Sequence, residues 1–599
     1  MAADAQPGIV RLIRHDAPSW RPADGACPTC IGQYAMRLAA ARSPTSLHTA
    51  TEPHTTFPYY HLDEETALSQ PQRLPDYAPI TGAGVTIAFL DSGYYPHPDL
   101  TQDGVWTSAP PDWPRLDAAA LRRQLERAPL RLVEYVDLTD GGEEIGLHLP
   151  SLWDGAGASW HGQMTTTLAA GNGLLSGGLF RGYASQAQIL PIKIGASNGR
   201  IPEAAILAGL RWLLRDDNWL RYNVRVVNIA VGGDYDEPWY NNLVCLAAEE
   251  LSNRGVLLCA AAGNSGRRLL YAPAQAPSVL TVGGYEDANR RWSPTRPEEV
   301  AALALYHHNS GRVLAHGRWA QKPELLALGR WLPAPILPPS AVFAEVYAIG
   351  ELRRVLFENR PGAAGRPAED GPLDEWMFDV WEVVRKRMNA HKWVHPYYQH
   401  VDGTSVAVAQ VSATAAQMFA ANPNLTGPEV KELLLATALP LPHHPHEQTG
   451  SGLLQPAMAV AAALRAGNGP LAGRPYSSAQ PTPGELQKWV RQGRVTASEI
   501  EDPGARRATQ PVYFGHYAPD AAGVSVVGSW NGWRPGVHRL RPAGHGWHQG
   551  LFFLPPGRHI YRFWLTGSAA QRPPWRPDPE NPMRLEGGYR EDHSLVEVS

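Results

Sequence analysis

Between Gly82 and Gly283 the chain alternates short, unbroken apolar runs with stretches of helical length and pattern. The runs are Gly84–Leu90, Gln188–Ile194, Val224–Val231, Val256–Ala262 and Val279–Gly283. A strand covered on both faces reads as a continuous apolar run and not as polar–apolar alternation. Between them, Pro202–Arg215 carries Ala204, Ile206, Leu207, Leu210 and Leu213 on one helical face, and Asn241–Asn253 has the same length and character. Strands alternating with such helices predict an α/β fold, a mainly parallel sheet with helices on both faces.

Sheets of this kind build their sites beyond the carboxyl ends of the strands. The first run ends in Asp91-Ser-Gly, and His161 opens a small-residue stretch, Trp160–Asn172. Further on, Asp402-Gly-Thr-Ser405 leads into a second small-residue helix reaching about Ala421. A hydroxyl at a helix N-terminus is either an N-cap or a nucleophile beside unpaired N–H groups. Singly, the three residues read as a turn cap, an ordinary histidine and an N-cap. Together they stand in the order Asp, His, Ser, one of the orders known for hydrolytic triads.

The motifs around them agree. Val-Thr-Ile-Ala-Phe-Leu-Asp91-Ser-Gly with His-Pro-Asp-Leu100, His161-Gly with Leu-Ala-Ala-Gly, and Gly-Thr-Ser405 resemble the subtilisin-like serine peptidases. Val-Val-Asn-Ile-Ala-Val-Gly-Gly233 and Ala-Ala-Ala-Gly-Asn264 complete the set, and the resemblance covers about 82–466. It implies a subtilisin-like fold and an endopeptidase acting on a polypeptide substrate. By this likeness Ser405 is the nucleophile, His161 the base, Asp91 its orienting carboxylate and Asn264 the oxyanion donor. Ala230, Val231 and Gly232 become the edge along which an extended substrate pairs. Ala261, Ala262 and Gly263 become a wall of the pocket for the residue before the cut. The chain departs from the family after Ser405, reading Val-Ala-Val-Ala-Gln where a Pro and a His are common, and after His161, reading Gln-Met for Thr-His. A catalytically silent scaffold of the same fold is the alternative. Asp99 matches a calcium-ligating position of some relatives, but the rest of such a loop is not recognisable, so neither metal nor cofactor is assigned.

At 599 residues the chain needs several domains. Residues 1–80 are irregular and hold Cys27-Pro-Thr-Cys30, which reads as half of a zinc site, a redox pair or two unpaired thiols. The catalytic region is 81–466, with insertions at about 101–158 and 340–398. The first insertion contains a helix pattern at Leu116–Arg127 and a strand at Leu130–Val136; the second has helices at Val342–Glu358 and Leu373–Ala390. A linker, 467–510, holds one short helix, Pro483–Gln492. Residues 511–599 carry short alternating strands and predict an immunoglobulin-like β-sandwich. Val524-Ser-Val-Val-Gly-Ser-Trp-Asn-Gly-Trp533 and Trp575-Arg-Pro-Asp-Pro resemble the glycogen-binding, early-set (carbohydrate-binding module 48) domains. That likeness implies Trp533 and Trp575 stacking on glucose faces, Arg562 contacting hydroxyls, and an α-glucan as partner.

A net charge of −4 with no Lys/Arg block excludes an electrostatic case for nucleic acid or an anionic membrane. No run approaches the ~18 apolar residues of a membrane span. Four cysteines make no disulfide framework, and Cys245 and Cys259 lie in apolar segments as buried thiols. The N-terminus shows no secretory signal, so a cytoplasmic location is expected, with export by another route left open.

Overall fold

The computed structural model describes residues 67–102, 129–139, 142–153, 160–196, 199–315, 317–337, 340, 343–358, 375–501, 509–567, 574–586 and 592–599, with Arg21, Ala120, Arg123 and Gln124. Cys27, Cys30 and most of the helix expected at Leu116–Arg127 lie outside them. The chain divides into two compact units.

The larger unit is built on a nine-stranded sheet. Its strands are β1 (Thr86–Asp91), β2 (Val136–Asp137), β3 (Glu144–Ile145), β4 (Gln188–Lys193), β5 (Val224–Ile229), β6 (Leu257–Ala261), β7 (Leu280–Glu286) and β8 (Ala304–Leu305). After the hairpin of β9 (Gly311–Ala315) and β10 (Arg318–Lys322), β11 (Leu325–Leu328) completes it. The order is β11-β7-β6-β5-β1-β4-β2-β3, with β8 on β7. All its pairings are parallel except β2 with β3 and β7 with β8. From β1 the chain continues to one side, into β4 and β2, while from β5 it continues to the other. The crevice between the ends of β1 and β5 is therefore the topological switch point, where such sheets place ligands.

Successive side chains of a strand point to opposite faces. Ala88 and Leu90 enter a core with Ile206, Leu210 and Leu213 of α2 (Glu203–Leu214) and Val244, Cys245, Ala248 and Leu251 of α3 (Leu243–Asn253). Each buried Val, Leu or Ile side chain among them contributes roughly 1.5–3 kcal/mol. Ile87, Phe89 and Asp91 turn the other way. Packed in that layer are α1 (Trp160–Ala170), against β1, and α6 (Thr404–Ala421), against α1 and β5. Strand parity thus puts Asp91 on the face that carries the His161 and Ser405 helices.

The excursion at 101–158 is less peripheral than its sequence suggests. Instead of one strand at Leu130–Val136, Leu132 makes a single bridge to Ile189, and β2 then pairs in parallel with β4. Tyr135 and Val136 are fully buried there, so apolar burial draws the segment back onto the sheet. Residues 69–80, expected to be irregular, are also integral, with Arg73 and Tyr77 almost wholly covered.

The short strand β12 (Leu332–Pro335) leads into the second unit, where two helices, α4 (Phe343–Glu358) and α5 (Glu375–Ala390), pack on each other, and β13 (Trp393–His395) pairs with β14 (Tyr398–Val401). Val346, Ile349, Val384, Met388 and Tyr398 are buried.

After α7 (Gly427–Ala436) and α8 (Pro456–Arg465), the expected linker packs as firmly as a domain. Leu471 is fully buried, and Trp489 of α9 (Pro483–Arg491) meets Tyr513 with ring centroids 5.3 Å apart. The reason is composition: Trp489 and Val495 supply apolar surface that a free tether would leave in water. Beyond it lie eight strands, β15 (Gln510–Tyr517), β16 (Gly523–Gly528), β17 (Arg539–Pro542), β18 (Trp547–Leu554), β19 (Gly557–Thr566), β20 (Trp575–Arg576), β21 (Arg584–Glu586) and β22 (Asp592–Val598). They are antiparallel throughout and enclose one core that includes Val512, Phe514, Val526, Tyr561, Phe563 and Val596.

Buried Glu580 fastens this strand-rich region to the rest of the unit. Its carboxylate accepts from Tyr77 Oη (3.0 Å), Arg465 Nη2 (2.8 Å) and the Ser477 amide (2.8 Å). Removing one member of a buried pair leaves its partner uncompensated. Glu580→Ala is therefore expected to cost about 3–5 kcal/mol in urea unfolding followed by tryptophan fluorescence. A change below about 1 kcal/mol, the size of an exposed pair, would mean that the joint is wet.

Candidate active site

Asp91 ends β1 and is fully buried. Its Oδ1 lies 2.7 Å from His161 Nδ1 and accepts the Ser92 amide at 2.6 Å, while Oδ2 accepts from Thr165 Oγ1 at 3.2 Å. Thr165 sits one turn beyond His161 on α1, so the helix that presents the imidazole also holds the carboxylate. Gly162 makes this approach possible. A Cβ there would stand 2.2 Å from the Gly93 carbonyl oxygen and 3.1 Å from Asp91 Cβ. The glycine of the His-Gly pair is thus a contact requirement between α1 and the turn after β1.

The His161 side chain is 33% exposed. Burial pushes the imidazole pKa down, but the charge of Asp91 and its hydrogen bond outweigh this, and the net direction is upward. A base must be neutral to accept a proton. Activity through His161 is therefore expected to fall, as pH drops, with a midpoint above the ordinary histidine value of about 6.5. Stability runs the opposite way, because a raised folded pKa means that protonation favours the fold. That contribution is complete below the unfolded value and is lost as pH rises through the folded one. A kcat/KM profile and melting temperatures across pH 5–9 would read both slopes, and an acid limb below the ordinary value would contradict the coupling.

Ser405, read alone as an N-cap and by the family resemblance as a nucleophile, is not the N-cap. Helix α6 starts at Thr404, with Gly403 in the cap position at φ +139°. Capping comes from elsewhere: Asn264 Oδ1 accepts from Thr404 N (2.9 Å) and Thr404 Oγ1 (2.8 Å). Thr404 Oγ1 in turn accepts from Gly263 N at 3.1 Å. Ser405, freed from capping, donates its Oγ to the Ala230 carbonyl at 2.9 Å, and among the described residues it makes no hydrogen bond to His161.

With Oδ1 committed, Asn264 keeps Nδ2 as a donor. A Cβ built on Gly403 would be 3.4 Å from Asn264 Nδ2 and 3.7 Å from Ser405 N. The two expected oxyanion donors therefore border one space, which glycine leaves empty. Ser405 N is in the first helical turn, where N–H groups have no intrahelical acceptor and the dipole favours negative charge.

Ala230, Val231 and Gly232 follow the end of β5, and Gly233 N donates to Ala272 O at 2.7 Å. A Cβ on Gly232 would meet nothing closer than 3.9 Å, so its surroundings are open. Ala261 ends β6, Ala262 N bonds Val282 O at 3.0 Å, and Gly263 has φ +98°. The 263–267 turn is held by Asn309, whose Oδ1 accepts from Ser265 N (2.9 Å) and Oγ (2.8 Å) and from Arg267 N (3.3 Å). Sequence reasoning missed Asn309, Thr165 and the bridging role of Thr404. Only Thr404 carried a signal, its place within Gly-Thr-Ser.

Asp99 Oδ1 accepts the Leu175 amide at 3.0 Å, and among the described residues no group of three or more His, Cys, Asp or Glu could hold a metal ion. Nor is any helix among them long and apolar enough to cross a membrane. In the strand-rich region, Trp533 and Trp575 are 38% and 37% exposed, while Arg562 is only 5% exposed. The Arg562 guanidinium lies 5.9 Å from the Trp575 ring, which packs edge-on against Trp564; Trp533 packs instead against His593.

Residues 82–453 match the model of the subtilase family, Peptidase_S8. The chain is 25% identical over 362 residues to the serine protease AprX of Bacillus subtilis strain 168, covering 59% of this chain and 61% of that protein. It is 27% identical over 214 residues to subtilisin BL of Lederbergia lenta, covering 36% of this chain and 60% of that protein. It thus spans about 60% of the length of these curated relatives. Among solved structures, the protease domain of PatA matches 63% of this chain and 94% of that one, at 17% identity and a TM-score of 0.37.

Proposed function

This chain belongs to the subtilase family, and from that premise we propose that it is a serine endopeptidase with Ser405 as nucleophile. The observation that carries the proposal is the 2.7 Å contact of Asp91 Oδ1 with His161 Nδ1. It commits Nδ1 as a donor and leaves Nε2 as the acceptor that a general base needs. Ser405 Oγ attacks the scissile carbonyl, His161 Nε2 takes the proton and then delivers it to the leaving amine. Asn264 Nδ2 and Ser405 N stabilise the oxyanion of the tetrahedral intermediate.

An extended substrate would pair along Ala230–Gly232, with the side chain before the cut lying towards Ala261–Gly263. A substrate amide bonded to the Ala230 carbonyl would compete for the acceptor that Ser405 Oγ now uses. Turning the hydroxyl towards His161 forgoes one hydrogen bond, a net cost of about 0.5–1.5 kcal/mol, which is small against the barriers of acyl transfer.

For the strand-rich region we propose an early-set β-sandwich that packs against the catalytic part. The joint at Glu580 supports this reading. The exposed Trp533 and Trp575 faces suit an α-glucan, but the buried Arg562 does not suit a sugar contact, so packing is the primary role.

The test is covalent. A fluorophosphonate probe should modify the pure protein at one site, identified by peptide mass as Ser405. Pure, folded protein that stays unlabelled would leave the catalytically silent scaffold as the reading.

A further inference from the structure

Arg73 precedes the family-matched span 82–453 and is only 1% exposed. Its guanidinium is a planar fork of five donors, and each nitrogen is used. Nε and Nη2 take the two oxygens of Asp287 at 2.9 and 2.5 Å. Nη1 donates to the Trp331 carbonyl at 2.6 Å, and Nη2 also donates to the Arg330 carbonyl at 2.8 Å.

Those carbonyls belong to the turn that holds the segment just before Ser405. Gly329 O accepts the Gly403 amide at 2.9 Å, and the Trp331 amide donates to Asp402 Oδ1 at 3.0 Å. Trp331 sits at φ +58°, a conformation that a bulky residue adopts only when its surroundings hold it there. Glu286 supports the same turn, bonding Trp331 Nε1 at 3.1 Å and Arg330 Nη1 at 2.7 Å. Arg73 closes the arrangement from outside the family-matched region, with a buried charge pair on one side and two turn carbonyls on the other.

We propose that Arg73 is a positioning residue for catalysis: it fixes the Gly329–Trp331 turn, which holds Asp402 and Gly403 and so sets the place of Ser405 and its amide. This rests on the reading of Ser405 as nucleophile. A displacement of about 1 Å in a reacting group costs roughly 10²-fold in rate while leaving substrate binding along a separate strand edge largely alone. The chain before the family-matched span thereby belongs to the catalytic apparatus.

Arg73→Lys keeps the charge for Asp287 but loses the fork that spans to both carbonyls. The double variant Arg73→Gln with Asp287→Asn removes the charge pair as a whole, so that no unpaired ion stays buried. Expected for both is a fall in kcat of about 10²-fold with KM within threefold of the parent, and an equal fall in the rate of fluorophosphonate labelling. The acid limb set by His161 should stay in place. Leu251→Ala, buried in α3 on the face of the sheet opposite Asp91, serves as a destabilised control that keeps its kcat. The proposal is overturned if the Arg73 variants lose less than threefold in kcat, if the control loses as much, or if neither variant folds, since then Arg73 serves the fold alone. Labelling of the parent protein at Ser405 tests the underlying reading separately.

Discussion

Ser405→Ala is expected to lower kcat for peptide hydrolysis by about 10⁶-fold. In the proposed mechanism the substitution removes the attacking atom but keeps the oxyanion donors, so a residual acceleration of about 10³–10⁴ over water is expected to persist. The fold should barely notice. The Ser405 hydroxyl makes one hydrogen bond, to the Ala230 carbonyl, with a net value of about 0.5–1.5 kcal/mol. The neighbouring bonds from Thr404 to Asn264 do not involve it. Turnover of a fluorogenic peptide, read beside a melting temperature shifted by only a few degrees, separates loss of chemistry from loss of structure. A variant that stays folded and retains more than about one per cent of parental kcat would remove Ser405 from the mechanism.

The second large effect belongs to Asp91→Asn, expected to reduce kcat by about 10⁴-fold. Here the donors and acceptors decide. Asp91 Oδ1 accepts from Ser92 N and faces His161 Nδ1, while Oδ2 accepts from Thr165 Oγ1. A carboxamide must point its NH₂ group at one of those sides. Directed at His161, it makes Nδ1 an acceptor and puts the ring proton on Nε2, the atom that must take the serine proton. Directed at Thr165, it keeps the tautomer but removes the negative charge that stabilises imidazolium. Either way the upward push on the His161 pKa disappears and burial remains, so the acid limb of kcat/KM should move to lower pH. An Asn variant with parental kcat, or with an unmoved acid limb, would show that the carboxylate does not act on His161.

Asp91, His161 and Ser405 each end or open an element with a strong local pattern, and their order with the family resemblance named them as a set. An unbroken apolar run must become a covered strand, and a small-residue stretch can pack closely as a helix. Asn264, standing immediately after the β6 run, was named by the family resemblance alone. The helix at Glu203–Leu214 and the strands from β4 to β7 lie within a few residues of where periodicity put them.

Other features depend on partners hundreds of residues away, and no local pattern encodes a partner. Arg73 reads as an ordinary surface arginine until Asp287 and the 330–331 carbonyls are brought around it. Asn309, in a weakly patterned stretch, acquires meaning only beside the 263–267 turn. The segment at 467–510 reads as a linker from its Pro and Gly content, although Trp489 has a covered place against Tyr513.

By itself, then, the sequence determined the mainly parallel sheet, the place of Asp91 at the end of its first strand and the order of the three candidate catalytic groups. These follow from period and punctuation, which act over a few residues. Tertiary structure decided how the Ser405 hydroxyl is bonded. Only with Asn264 capping Thr404 from the turn after β6 is the Ser405 hydroxyl released from the capping role that its position in the sequence suggested. Hydrogen-bond donors are satisfied by whatever acceptor the fold brings within reach, and that acceptor was 140 residues away.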